Sequence, residues 1–226
     1  AEVKRDWPFY LGGLALSFFM GILASALLNG GNTEDETDKF AIDLTSYVLD
    51  FFFLMAVPSL SSASKVYWLP STLRQDGLTQ RLIFLRSLPI PVKQLVFARL
   101  LLMAATLVPM LAAYFSAIYL FAVELRELLS PGQFLLFALM WLGYGFLFGG
   151  IYPYLEYSTT WKKLVWSSVL IILFVFLLAI VSYVLFPTGL VGWIVTLAQR
   201  QSLVFPVLFL VIGVLGVVGW HFALNR

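Results

Sequence analysis

The chain has 226 residues, 61% of them hydrophobic and only 12% charged, with a formal net charge of +2. A soluble domain carries about 25% charged and about 45–50% apolar residues, so hydrocarbon is the expected solvent for most of this chain, and so small a net charge gives no case for nucleic acid as a partner. Cysteine is absent, which removes disulfides, thiolate metal sites and thiol nucleophiles together.

A membrane-crossing helix needs about 20 mostly apolar residues at about 1.5 Å rise each. Taken in chain order, residues 8–28 form the first such run, and an acidic loop, "NGGNTEDETDKFAID" at about 29–43, follows it. The second run, 44–64, carries Asp50 within "SYVLDFFFLMAVP", about 9 Å below Leu44 by helical rise; Asp43 falls on nearly the same face. An ionisable residue inside a span is a functional candidate by default. Asp50 is therefore expected either to line a pathway or interface, or to be a carboxylate that reaches the headgroups from the outer leaflet or is buried in its neutral form. Pro58, followed by Ser59, Ser61, Ser62 and Ser64, is expected to bend and soften the end of this helix. Proline removes a backbone bond that a hydroxyl can replace.

Residues 73–92 form a basic elbow. Asp76 can cap a short helix from about Leu78. Leu82 and Leu85 then line one side and Arg81 and Arg86 the other, the pattern of an amphipathic helix lying on a membrane surface. Leu88–Pro89–Ile90–Pro91 breaks it. Runs at about 95–121, 133–153, 164–186 and 203–224 complete a set of six. Pro109 is expected to loosen the third as Pro58 does the second. Glu156 follows Pro153 at the end of the fourth run and reads as a solvated helix-end acid, with a pathway or interface role as the alternative. Gly143, Gly145, Gly149 and Gly150, and Gly213, Gly216 and Gly219, recur at helical spacing and predict close helix packing. "FPTGLVGWIVTLAQRQS", about 187–202, is too short and Gly-rich to span and is expected to lie at the interface or dip into the membrane.

With the N-terminus inside, Lys4, Arg5, Lys65, Arg74, Arg81, Arg86, Lys93, Arg99, Lys162, Lys163 and Arg226 fall on the inner side, and only Lys39, Arg126 and Arg200 outside. That asymmetry predicts both termini in the cytoplasm. Catalytic residues are scarce. His221 is the only histidine and reads as a polar residue at a helix end; no GxxxxGK[ST] phosphate loop and no His–carboxylate cluster is present. No catalytic residue, metal ligand or bound cofactor is expected on this chain.

"DG…LIFLRSLPIPVKQLVFAR", set between the second and third of six helices, resembles the coupling segment of ABC-2-type transporter permeases. The resemblance extends to the layout, including the membrane-dipping segment before the last helix, and implies a single transmembrane permease domain over 1–226. It implies that Asp76, Arg81, Leu85, Arg86, Leu88 and Pro89 contact a separate ABC ATPase, which holds the ATP and Mg. It further implies a second permease, identical or related, an exported cargo and a place in the cytoplasmic membrane of a bacterial cell, among lipid. The 21 Phe, 10 Tyr and 7 Trp suit an amphipathic or hydrophobic cargo such as a peptide, toxin, drug or lipid-like molecule. Relatives often carry an acid at the start of the elbow, where "LRQDG" offers Arg74 and Gln75 before Asp76. Two other classes fit the composition: a non-transporting membrane assembly or immunity protein and, with fewer residues to support it, an intramembrane hydrolase.

Overall fold

The computed structural model describes residues 7–29, 39–62, 92–158, 161–186 and 188–224. The elbow, with Asp76, Arg81, Leu85, Arg86, Leu88 and Pro89, lies outside the described residues, as does most of the acidic loop. Among the described residues every regular element is a helix. In chain order these are α1 (Trp7–Asn29), α2 (Lys39–Ser59, continued by a 3-10 turn at Leu60–Ser62), α3 (Val92–Phe121), α4 (Val123–Leu128), α5 (Pro131–Gly149), α6 (Ile151–Ser158), α7 (Trp161–Leu185), α8 (Gly189–Gln199) and α9 (Val204–Leu224). Four stretches are long and apolar enough to cross a membrane: Trp7–Asn29, Lys93–Phe121, Pro131–Leu155 and Val204–Leu224. The chain thus has the character of a helical membrane protein. In α2 and α7 the apolar stretches are shorter, Thr45–Ser59 and Trp166–Ser182.

Neighbouring contacts fix the direction of each long helix. Ser17 of α1 meets Met110 of α3, and Asn29 donates to the Phe121 carbonyl at 2.9 Å, so α1 and α3 run parallel. Phe53 of α2 packs on Tyr114 of α3, whereas Ser61 lies beside Gly149 of α5, which also faces Met103. Thus α2 runs against α3 and alongside α5. The α9 helix follows α5 in parallel, and α7 runs against α2, with Ser182 beside Asp50 and Ile171 near Pro58. One end of the bundle, the far end, carries α4, the start of α5 and α8. The near end carries the 3-10 turn, the starts of α3 and α7, α6 and the end of α9. The chain leaves at Ser62 and returns at Val92, both at the near end.

An aromatic cluster occupies the centre. Phe53 is fully buried and meets Tyr114 edge-on at 5.7 Å, Phe137 at 6.2 Å and Trp141 at 5.0 Å. Edge-to-face and tilted pairs are worth about 0.5–1.5 kcal/mol each beyond area burial.

Most of the glycine pattern is satisfied within one chain. A Cβ on Gly143 would collide with the Phe209 backbone, and one on Gly213 with the Gly143 carbonyl. Without side chains there, α5 and α9 approach backbone to backbone, the contact that drives helix pairing where lipid is as apolar as leucine. Trp220 closes the seam, its indole N–H donating to the Leu147 carbonyl at 2.7 Å. Gly219 makes no such contact.

The fourth predicted run, 133–153, lies within the apolar stretch Pro131–Leu155, with one interruption: α5 ends at Gly149 and α6 begins at Ile151, because Pro153 cannot donate to the carbonyl four residues back. Glu156 lies in the last turn of α6, at a helix end; its side chain is outside the described residues.

A candidate functional site along α2

Two polar sites flank the middle of α2, one toward each end. At the far end Asp50 is 1% exposed, so its carboxylate does not reach the headgroups. It points instead at the start of α8. Oδ2 accepts from the Leu190 backbone N–H at 2.6 Å and from the Ser182 hydroxyl of α7 at 3.0 Å, and Oδ1 accepts from the Val191 N–H at 2.8 Å. A buried carboxylate is costly unless charge and hydrogen bonds compensate it. Here the first N–H groups of a helix, which have no intrahelical acceptor, and its positive dipole end supply both.

The local sequence explains how the helix meets this anion. Thr188, the residue before α8, makes no side-chain cap of its own. Gly189 adopts φ +70°, a left-handed conformation that glycine enters without strain. A Cβ there would lie 2.9 Å from Asp50 Oδ2. Asp50 therefore caps α8 from another helix, 140 residues away in sequence from Leu190. Stacking of Phe186 on Trp193, 4.7 Å between ring centroids, fixes the turn. The other end of α8 is tied as well. Ser130 and Gln133 form a capping box that starts α5, and the Gln133 amide donates to the Gln199 carbonyl at 3.0 Å. The segment expected at the interface is thus an 11-residue helix held at both ends.

Toward the near end, Pro58 leaves the Leu54 carbonyl without its helical donor. The Tyr144 hydroxyl of α5 donates to that carbonyl at 2.9 Å. The Ser61 hydroxyl donates to the Pro58 carbonyl at 2.7 Å and reaches the Gly149 carbonyl at 3.3 Å, so one hydrogen is shared between two acceptors.

These sites do not bring the predicted residues together. Asp50 and Glu156 stand at opposite ends, and the elbow residues lie outside the described residues. Residues that the sequence reading passed over include Ser182, Gly189 and Tyr144. Ser182 had a signal, a hydroxyl within the apolar "LLAIVSYVL"; Gly189 had another in "PTGL". Tyr144 had none, since nothing local pairs it with Leu54. His221 lies on the last turn of α9, its ring 6.2 Å from that of Phe97. Among the described residues no group of three or more His, Asp or Glu is placed to hold a metal ion.

One larger recess, about 770 Å³, opens between α3 and α5. Phe115, Tyr119, Phe134 and Leu135 line it, and its one serine, Ser116, turns its hydroxyl back to the Ala112 carbonyl at 2.6 Å. It offers apolar surface and little else.

No known protein family matches the chain, and neither a curated protein nor a solved structure matches it.

Proposed function

We propose that the chain is the transmembrane permease subunit of an ATP-driven exporter, with six spans and both termini in the cytoplasm. The supporting observation is that the 3-10 turn after α2 ends at Ser62 and α3 begins at Val92 at the same end of the bundle, so the elbow joins two packed helices there. A segment joined directly to α2 and α3 is where a push from a partner would become helix tilt. Lys93, Arg99 and the Lys162–Lys163 pair lie toward that end, and residues 63–91, which join α2 to α3 there, add Lys65, Arg74, Arg81 and Arg86 by sequence; Lys39, Arg126 and Arg200 lie toward the other, an asymmetry that favours the near end as the cytoplasmic one.

In this proposal Leu85 and Leu88 fill an apolar groove on an ABC ATPase, Arg81 and Arg86 contact its rim, and Asp76 starts the elbow helix. ATP and Mg sit on that partner. A second permease, identical or related, completes the pathway, and ATP binding favours one arrangement of the pair over the other. An amphipathic or hydrophobic cargo, such as a peptide, toxin, drug or lipid-like molecule, suits a chain this rich in Phe, Tyr and Trp. Asp50 serves by positioning α8 at the far end. Changing Leu88 and Pro89 together to serine is expected to abolish ATP-dependent export while the chain still inserts and folds. Unchanged export and ATPase association in that double variant would overturn the proposal.

A further inference from the structure

The two proline breaks are wired to each other. Pro58 deprives the Leu54 carbonyl of its donor, and Tyr144, from the helix that ends at the second break, supplies one. Pro153 deprives the Gly149 carbonyl of its donor, and Ser61, from the turn that follows the first break, reaches it at 3.3 Å. Each freed carbonyl is thus served by a hydroxyl from the opposite segment. The approach depends on Gly145 and Gly149: Cβ atoms there would lie 3.3 Å from Val57 Cγ1 and 3.2 Å from Ser61 Cβ. Met103, an adaptable thioether, fills the remaining side near Gly149. A void of about 70 Å³, lined by Pro58, Tyr144, Tyr152 and Ile171 among others, lies against the same seam on its α7 side.

We infer that Pro58 and Pro153 form one hinge with two states, latched by the Tyr144 and Ser61 hydroxyls. In the latched state both cross-bonds are made and the near end of α2 lies on Gly145 and Gly149. Tilting that end away from α5 breaks both bonds together, because both depend on the same glycine contact. The Leu54 and Gly149 carbonyls then turn to water or to local donors, and the void receives the displaced Tyr144 ring. Interfaces of this kind switch between discrete packings rather than deforming continuously. The hinge is a property of the chain alone and stands whether or not an ATPase binds it.

Because the chain lacks cysteine, spin labels can be placed without removing native thiols. One pair, S62C with F222C, spans the hinge at the near end; a control pair, L135C with V207C, reports the α5–α9 pair. Distances are measured by electron paramagnetic resonance on the full chain in lipid nanodiscs. Tyr144→Phe is expected to raise the longer-distance population of the hinge pair about fivefold, the equivalent of one net hydrogen bond. Ser61→Ala should do the same to a lesser degree, and the double variant should add less than the two singles combined. The control pair should not move, which shows that the bundle is intact. Pro58→Ala restores an N–H to the Leu54 carbonyl, so Tyr144→Phe in that background should have almost no effect. An unchanged hinge distribution in Tyr144→Phe/Ser61→Ala would overturn the inference, as would an equal effect of Tyr144→Phe with and without Pro58. A shift of both label pairs together would also overturn it, since the hydroxyls would then hold the whole bundle rather than a hinge.

Discussion

The seam between α5 and α9 and the seams around α2 solve the same problem in opposite ways. The first joins two apolar helices by removing side chains: Gly143 and Gly213 bring backbones into contact, and Trp220 contributes a single polar bond. The second adds polar groups to the apolar and glycine contacts of α2, with Asp50 on α8 and α7 at one end, Tyr144 on Leu54 and Ser61 on Gly149 at the other. A steric seam has one good packing, because any shift costs contacts along its whole length. A polar seam has as many arrangements as its groups have partners. On the hinge inferred above, α9 belongs to the frame, while α2, which leads directly into residues 63–91, is the helix that changes position.

The contrast breaks most severely at the steric seam. Gly143→Leu puts a Cβ into the Phe209 backbone, where no flexible side chain can yield. A loss of about 3 kcal/mol is expected, read as a fall in the thermal unfolding midpoint in detergent. Stability equal to wild type would show that the backbones do not approach so closely. Next comes the polar seam. Asp50→Ala leaves the Leu190 and Val191 N–H groups buried without their acceptor and should cost about 2 kcal/mol. Asp50→Asn keeps one acceptor oxygen and should fall between alanine and wild type. The damage should concentrate in α8, seen as faster hydrogen exchange over 189–199 with α9 unaffected. Equal acceleration in both helices would make Asp50 a general core residue rather than a cap. The smallest effect sharpens the comparison by its sign. Tyr114 is fully buried and its hydroxyl has no hydrogen-bond partner among the described residues. Tyr114→Phe is therefore expected to leave the unfolding midpoint unchanged or slightly raised, whereas the Tyr144 hydroxyl has an acceptor to lose.

Much of the bundle was legible because helix length and apolarity are local. The first and last helices lie within a residue of expectation, Trp7–Asn29 against 8–28 and Val204–Leu224 against 203–224. The second begins at Lys39 rather than 44, since a helix can extend through "KFAID" without needing hydrocarbon around it. The glycine runs announced close packing, though which helices would meet waited on the fold. Asp50 stood out as a charge in an apolar run, but its partner lies 140 residues away, so its role as a remote cap was not readable. Pro58 shows the same limit: the freed carbonyl at Leu54 follows from the sequence, and the donor at Tyr144 does not.

The most direct test of the central claim is to purify the chain from its native membranes in mild detergent and identify what accompanies it. The expected companion is a stoichiometric Walker-motif ATPase that is lost when Leu85 and Leu88 are changed to serine. An intact, folded chain that comes through without an ATPase, or with a partner indifferent to ATP, would contradict it and favour a membrane assembly or immunity protein.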